Sequence, residues 1–245
     1  MSKAGAPEKL IVNGKRLDGR NLDEFRTLDA KIGVLKSSQG SGEFSFGDTK
    51  AVAGAFGPRQ MHPRKLQNVE RATVRCKYFM APFSTEDRIR PGHSRRGTEI
   101  SKVISEAFTA SVFTENFRKS AIDVFISIVQ ASASTRCAGL NAACLALVDA
   151  GIPMKDLVTS VAVGKVDDTL VLDVGKAEDN YGQVDFALST IGGSDRFVHM
   201  QMDGIVTREE FSKLLEMGEK GCKQVYDKLK QTIREKYSMG VGTDE

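Results

Sequence analysis

Residues 121–153, AIDVFISIVQASASTRCAGLNAACLALVDAGIP, decide the architecture. Within 121–130, Ile122, Val124, Ile126 and Ile128 fall on one face and Phe125 and Val129 on the other. Apolar residues on both faces at period two mark a strand buried in the middle of a sheet. A helix follows at once, with Leu140, Ala143, Cys144, Leu147 and Val148 at helical spacing and Gly151 and Pro153 closing it. Ser132, Ser134, Thr135 and Arg136 stand at its start. Helix N-termini expose unpaired N–H groups and a partial positive charge, so this junction is also a place for chemistry.

Upstream, residues 71–80 alternate, with Ala72, Val74, Cys76, Tyr78 and Met80 on one face and Arg71, Thr73, Arg75 and Lys77 on the other. That is a half-buried strand with a basic exposed side. Phe44–Phe56 reads as strand material reversing at Gly47-Asp48, and 57–65 (GPRQMHPRK) as a proline-punctuated basic loop. Ile100, Val103, Ile104, Ala107, Phe108, Ser111 and Val112 predict a helix from Thr98, with Ser94, Arg95, Arg96 and Gly97 just before its first turn. Downstream, 157–166, 169–174, 185–190 and 196–202 read as a meander of strands. Thr207 and Glu210 form a capping box opening a helix to about Tyr237, and 238–245 reads as a flexible tail. The order is strands, helix, strand, helix, strands, helix. It predicts an α+β fold of mixed β-sheets with packed helices, a single domain over 1–245 with a core over about 15–155 and a C-terminal part over about 156–237.

With 40% hydrophobic residues, the 245-residue chain is neither disordered nor fibrous. A formal charge of +3 is too small for a histone-like polycation, so any contact with nucleic acid must come from locally clustered Arg and Lys. Cys76, Cys137, Cys144 and Cys222 make no C-x-x-C pair and have no histidine at finger spacing. They argue against zinc and for buried thiols in a reduced, cytoplasmic setting. The N-terminal MSKAGAPEK carries no apolar targeting segment. Asp123, Arg136 and Asp149 interrupt 121–150, so no stretch reaches the ~20 apolar residues of a membrane span.

Three groups of residues can carry chemistry. Ser94-Arg95-Arg96-Gly97 and Ser134-Thr135-Arg136 each place hydroxyls and a forked guanidinium at a helix start, together an arrangement suited to a phosphate. The competing reading is ordinary N-caps beside solvated arginines, which two such sites in one chain weaken. A hairpin centred on Gly182 would set Asp179 opposite Asp185, where like charges either share a divalent cation or lift one pKa for general acid work. The competing reading is an acidic, solvent-exposed turn. Arg59, His62, Arg64, Lys65, Arg88 and Arg90 form basic loop material without stacking aromatics, which fits sequence-blind backbone contact, or simply a solvated surface. His93 and His199 stand alone and read as packing or surface residues. P-loop, hydrolase-elbow and zincin motifs do not occur.

Taken in order, these residues resemble the ribonuclease PH family, closest to its archaeal exosome branch. The resemblance spans nearly the whole chain: Arg16-Leu17-Asp18-Gly19-Arg20, Gly47-Asp48-Thr49-Lys50, Met61-His62-Pro63-Arg64, Ser94-Arg95-Arg96, Ala150-Gly151-Ile152-Pro153, Glu178-Asp179 and Asp185. It implies a ribonuclease PH-like fold, of the ribosomal protein S5 domain 2 type. The implied activity is a 3′→5′ exoribonuclease that uses inorganic phosphate, not water, to release nucleoside diphosphates and can run backwards to add tails. By position, Arg96, Ser134, Thr135 and Arg136 look like the phosphate-binding group. Asp179 and Asp185 look like the catalytic pair that binds Mg²⁺ (or Mn²⁺) and protonates the departing 3′ oxygen, with either in either role. Arg64 and Arg95 would hold phosphates of single-stranded RNA.

One segment departs from the family pattern. Where Gln-Ala-Asp-Gly/Ala-Gly-Ser/Thr-Arg is usual, this chain has QASASTR at 130–136, so Ser132 and Ser134 replace an Asp and a Gly. Ser134 either narrows the approach to the anion or donates its own hydroxyl. The resemblance further implies a six-membered ring, a trimer of heterodimers with an inactive paralogue, capped by S1- or KH-domain proteins. The rivals are a non-catalytic, RNA-binding ring subunit and a homohexamer that trims tRNA. Retention of Arg136, Asp179 and Asp185 favours the enzyme over the first, and residues 61–64 and 94–96 favour the exosome type over the second.

Overall fold

The structure, a computed structural model, describes residues 7, 9–193 and 196–238. In chain order these form β1 (Ile11–Val12), β2 (Lys15–Arg16), β3 (Leu28–Ile32), β4 (Gly40–Phe46), β5 (Thr49–Gln60), β6 (Thr73–Met80), α1 (Arg95–Ser111), β7 (Ser120–Gln130), α2 (Thr135–Asp149), β8 (Val158–Val166), β9 (Thr169–Leu172), α3 (Lys176–Tyr181), β10 (Val184–Ile191), β11 (Phe197–Gly204) and α4 (Arg208–Ser238). Short 3₁₀ turns lie at Arg64–Leu66 and Thr114–Phe117. Two sheets carry the α+β fold. One has the order β3-β4-β5-β7-β6, with β6 and β7 parallel and the rest antiparallel; the other is the antiparallel β11-β10-β8-β9.

Residues 121–153 lie at the centre. β7 sits between β5 and β6, and Ile122, Val124, Ile126 and Ile128 are fully buried. The stripe assigned to α2 understates its burial. Ala138, Ala142, Leu145 and Ala146 are buried as well, because this helix packs against β4, β5 and β7 of one sheet and β8 and β10 of the other. Small residues permit the close approach: a Cβ on Gly42 would come within 2.5 Å of Leu145 Cβ, and one on Gly40 would strike the backbone of Ala146 and Ala150. Asn141 docks α2 to β8, accepting from the Ser160 amide at 2.8 Å and donating to its carbonyl at 2.9 Å.

Other helices close the exposed faces. α1 lies along the edge strand β6, whose Cys76 and Tyr78 amides donate to Ser105 and Ser101 hydroxyls at 2.8 and 2.9 Å. Leu214, Cys222, Val225 and Leu229 of α4 cover the second sheet, and the Thr207–Glu210 capping box forms at its start. All four cysteines are free and buried. Among the described residues no helix is long and apolar enough to cross a membrane.

Three expectations change. β5 continues through Pro58 to Gln60, past the expected loop start, because its ladder with β7 resumes at Arg59 after a register shift. α1 begins at Arg95, since Ser94 caps it by accepting the Gly97 amide at 2.9 Å, so Arg95 and Arg96 lie inside the first turn. The segment before β10 is the short helix α3, not one arm of a hairpin. Of the expected tail, Ser238 ends α4 and 239–245 lie outside the described residues.

Candidate active site

A cavity of about 430 Å³ opens where the N-termini of α1 and α2 meet α3 and the ends of β10 and β11. Arg96, Arg136, Asp179 and Asp185 all line it. The fold thus gathers four of the residues singled out in the sequence, with one correction of geometry. Asp179 sits on α3, so the two aspartates meet across a helix-to-strand junction and not across a hairpin.

The cationic wall is built by two helix starts. Ala133 and Ser134 both adopt left-handed φ, +62° and +52°, which turns the chain sharply out of β7 into α2. Thr49, the first residue of β5, holds this bend: its hydroxyl accepts from the Ser132 amide at 2.9 Å and donates to the Ala133 carbonyl at 2.7 Å. The Ser134 hydroxyl donates to the Val174 carbonyl at 3.0 Å and makes no cap, so no side chain occupies the first amides of α2. Arg136 Nε and Thr135 Oγ1 are buried without a partner in the chain, as is the hydroxyl of Tyr78 beside them. Orphaned buried donors at a helix N-terminus are what an oxyanion satisfies.

Asp185, half-buried, forms the opposite wall. Burial, and then the neighbouring Asp179 carboxylate, push its pKa up to about 6; Arg136 and Arg96 pull the other way, and Asp203 adds to the rise. Asp203 faces Asp185 across the β10–β11 ladder and also lines the cavity. Sequence reading missed it, because it lies just past the expected strand 196–202 and its register opposite Asp185 depends on a bulge between Ser189 and Thr190. Gln201 and Glu99 also escaped notice; the Gln201 amide donates to Glu99 at 2.7 Å and ties β11 to α1. Among the described residues no three His, Cys, Asp or Glu side chains gather as a metal-holding group.

The motif at 16–20 is the buttress of the acidic wall. Arg16 is buried, donates from Nε to Glu178 at 2.6 Å, and reaches the Leu172 and Asp173 carbonyls at 2.5 and 2.6 Å. Glu178 in turn accepts the Gly175 amide at 2.6 Å, which fixes the first turn of α3 and hence Asp179. Arg26 ties the two walls: it grips Asp173 with Nε and Nη2 at 2.8 and 2.6 Å and donates to the Ser132 carbonyl at 2.5 Å.

Arg64 lies exposed on its 3₁₀ turn and Arg95 exposed on α1, and neither lines the cavity. Arg59, counted with the basic loop, is instead held with Arg75 by the buried Asp123 at 2.7 and 2.6 Å.

Family models described as the 3′ exoribonuclease family, domain 1 and domain 2, match residues 24–153 and 156–221. "Exosome complex component Rrp41" of Archaeoglobus fulgidus is 48% identical over 243 residues, covering 98% of this chain and 94% of the relative. The protein of the same description from Thermococcus kodakarensis is 47% identical over 236 residues, covering 95% of each. Among solved structures, rice Rrp46 superposes with a TM-score of 0.79 at 23% identity, over 89% of this chain and 99% of that one. A chain of the Archaeoglobus fulgidus exosome with RNA bound to the active site gives 0.76 at 22% identity, over 88% and 93%.

Proposed function

The chain belongs to the 3′ exoribonuclease (RNase PH) family, and we propose that it degrades RNA from the 3′ end by phosphorolysis as the catalytic subunit of an archaeal exosome ring. One observation carries this reading: Arg96 and Arg136, at two helix N-termini, face a carboxyl group held near pKa 6 across a single cavity. An anion attacking a polyanion needs fixed positive charge on the attacking side and a proton on the leaving side, and the two walls supply them.

Phosphate binds at the open amides of α2 against Arg136, Thr135 and Arg96, where the buried Nε and Oγ1 lack partners. Its oxygen attacks the terminal phosphodiester phosphorus, the bond to the 3′ oxygen breaks, and Asp185 gives that oxygen its proton. Asp185 is thus the acid and Asp179 the carboxylate that keeps its proton available. The ionised site is reloaded from solvent. Because phosphate and not water takes the nucleotide, the reaction is a transfer and not a hydrolysis, and it reverses when diphosphates are abundant.

Two aspartates lining one cavity, close enough to influence each other, would suit Mg²⁺ (or Mn²⁺). When bound, the ion neutralises charge gathering on the transferred phosphoryl group. The Asp179 carboxylate would hold it, beside the protonated Asp185. Ser134 contributes its backbone amide and not its hydroxyl, which is committed to Val174. Exposed Arg64 and Arg95 guide single-stranded RNA by its backbone. The ring comprises three heterodimers with an inactive paralogue, carries S1- or KH-domain caps, and works in the cytoplasm.

The test is to incubate the chain, alone and with its ring partner, with 5′-labelled A-rich RNA and Mg²⁺, with and without phosphate. Diphosphates released only with phosphate are expected. Monophosphates released without it would overturn phosphorolysis, and no product even with the partner would leave a non-catalytic ring subunit.

A further inference from the structure

Ser160, Ser189 and His199 form one row across β8, β10 and β11: Ser160 pairs with Ser189, and Ser189 with His199. Side chains alternate along a strand, so His199 shares its face with Gln201 and Asp203, and Ser189 shares its face with Asp185, all three lining the cavity. His199 itself does not line the cavity; it lies two residues before Gln201 on the same face of β11, behind the lining and within the electrostatic influence of Arg136.

Hydroxyl protons fix the state of the ring. Ser160 Oγ donates to the Leu188 carbonyl at 3.0 Å, and Ser189 Oγ donates to Ser160 Oγ at 2.9 Å. Each hydroxyl has a single proton, so Ser189 meets His199 Nδ1, 3.3 Å away, with lone pairs alone. Nδ1 therefore carries the imidazole hydrogen and Nε2 a bare lone pair. Burial, then Arg136, bring the pKa of His199 down to about 4, so the ring is neutral at working pH. Nε2 is buried and makes no geometrically sound hydrogen bond within the chain, like Arg136 Nε and Thr135 Oγ1; the side chain of Gln201 lies beside the ring, with its amide donating to Glu99.

An acceptor among the donors of an anion site is a selective device. Sulfate offers only acceptors and meets the lone pair with its own. Hydrogen phosphate and hydrogen arsenate carry an O–H that can be donated. We propose that His199 sets the anion specificity of this site: Nε2 accepts the P–OH hydrogen of the incoming phosphate while Arg136 and the α2 amides hold its ionised oxygens. The assignment rests on the phosphorolytic reading above, but it concerns binding and can be tested without RNA.

The experiment is thermal unfolding of the full chain at pH 7, titrated with phosphate, arsenate and sulfate, for the wild type, His199→Leu and His199→Gln. A ligand that binds only the folded state raises stability with its concentration over Kd, so each titration yields an affinity. In the wild type, phosphate and arsenate should bind roughly tenfold or more tighter than sulfate, the discrimination expected from one unmet buried acceptor. His199→Leu should weaken phosphate about tenfold and leave sulfate unchanged, and His199→Gln, whose amide oxygen can replace Nε2, should keep part of the preference. Equal binding of phosphate and sulfate by the wild type overturns the proposal, even if His199→Leu fails to fold. Parallel weakening of both anions in His199→Leu also overturns it, because that marks a merely structural histidine. Phosphate preference without RNA turnover would support His199 while removing the phosphorolytic reading. No stabilisation by any anion would remove the cradle and His199 together.

Discussion

Arg16→Met removes a guanidinium while keeping most of the length and the apolar stem of the side chain. In the wild type that group is only 3% exposed and serves Glu178 and the Leu172 and Asp173 carbonyls. Glu178 is 7% exposed, so the variant leaves a carboxylate uncompensated in the interior and two carbonyls short of a charged donor. Removing one partner of a buried pair costs about 3–5 kcal/mol. Glu178 keeps the Gly175 amide at 2.6 Å, which places the loss toward the lower end of that range. At ~2–4 °C per kcal/mol for a chain of this size, the melting temperature should fall by roughly 6–12 °C. Urea unfolding of Arg16→Met, Glu178→Gln and the double variant separates charge from shape. The double variant should be more stable than the sum of the single losses by at least ~1 kcal/mol, because it no longer buries an unpaired charge. Phosphorolysis should fall in Arg16→Met even below its melting temperature, since α3 loses its anchor and Asp179 its position. A loss under ~0.5 kcal/mol, or simple additivity, would refute the reasoning.

Four further outcomes follow from the cavity and its cradle. Arg136→Ala should abolish stabilisation by phosphate in thermal unfolding, with little change in its absence, because the buried Nε it removes has no partner in the chain. Asp185→Asn should end turnover yet retain RNA binding, and it carries a stability signature. The carboxyl holds its proton more tightly when folded, at about 6 against 3.8, so ionisation costs nothing below pH 3.8 and its full cost is present above about 6. The variant should thus be ~1–3 kcal/mol more stable than wild type at pH 7 and nearly equal at pH 4, by urea unfolding at both pH values. In the wild type, kcat/KM should decline as pH rises above about 6. Ser134→Gly should change stability by less than ~1 kcal/mol, trading the bond to Val174 against relief of left-handed backbone, and should keep the phosphate response.

Periodicity made most of the fold legible. The two-sided pattern of 121–130 identified β7 as central, and the alternation of 71–80 identified β6. What stayed hidden depends on distant partners. α3 is six residues, KAEDNY, without an apolar stripe, and its buried Glu178 is explained by Arg16, 162 residues earlier. Asp203 and His199 gain meaning only from the register that sets them beside Asp185 and Ser189. Arg96, Arg136, Asp179 and Asp185 stood out in the sequence because a guanidinium at a helix start suits an anion and two nearby aspartates suit a cation or a shared proton, and the fold sets all four around one cavity; Ser134 was read as a cap or a donor, whereas its hydroxyl serves Val174. Ser132 presents only backbone groups to Thr49 and Arg26, so nothing in the structure explains its side chain.

The Arg16–Glu178 pair also has a bearing on the order in which the protein can be made. During synthesis the N-terminal arginines leave the ribosome first, whereas Asp173, Glu178 and Asp185 arrive some 150 residues later. The first sheet can form early, since β4 and β5 are a local hairpin. The phosphate cradle cannot close until Arg26 finds Asp173, and no acid faces it until β10 is in place. A nascent chain is therefore unable to attack the message from which it is being read. The site is complete only once the second sheet has formed on the first.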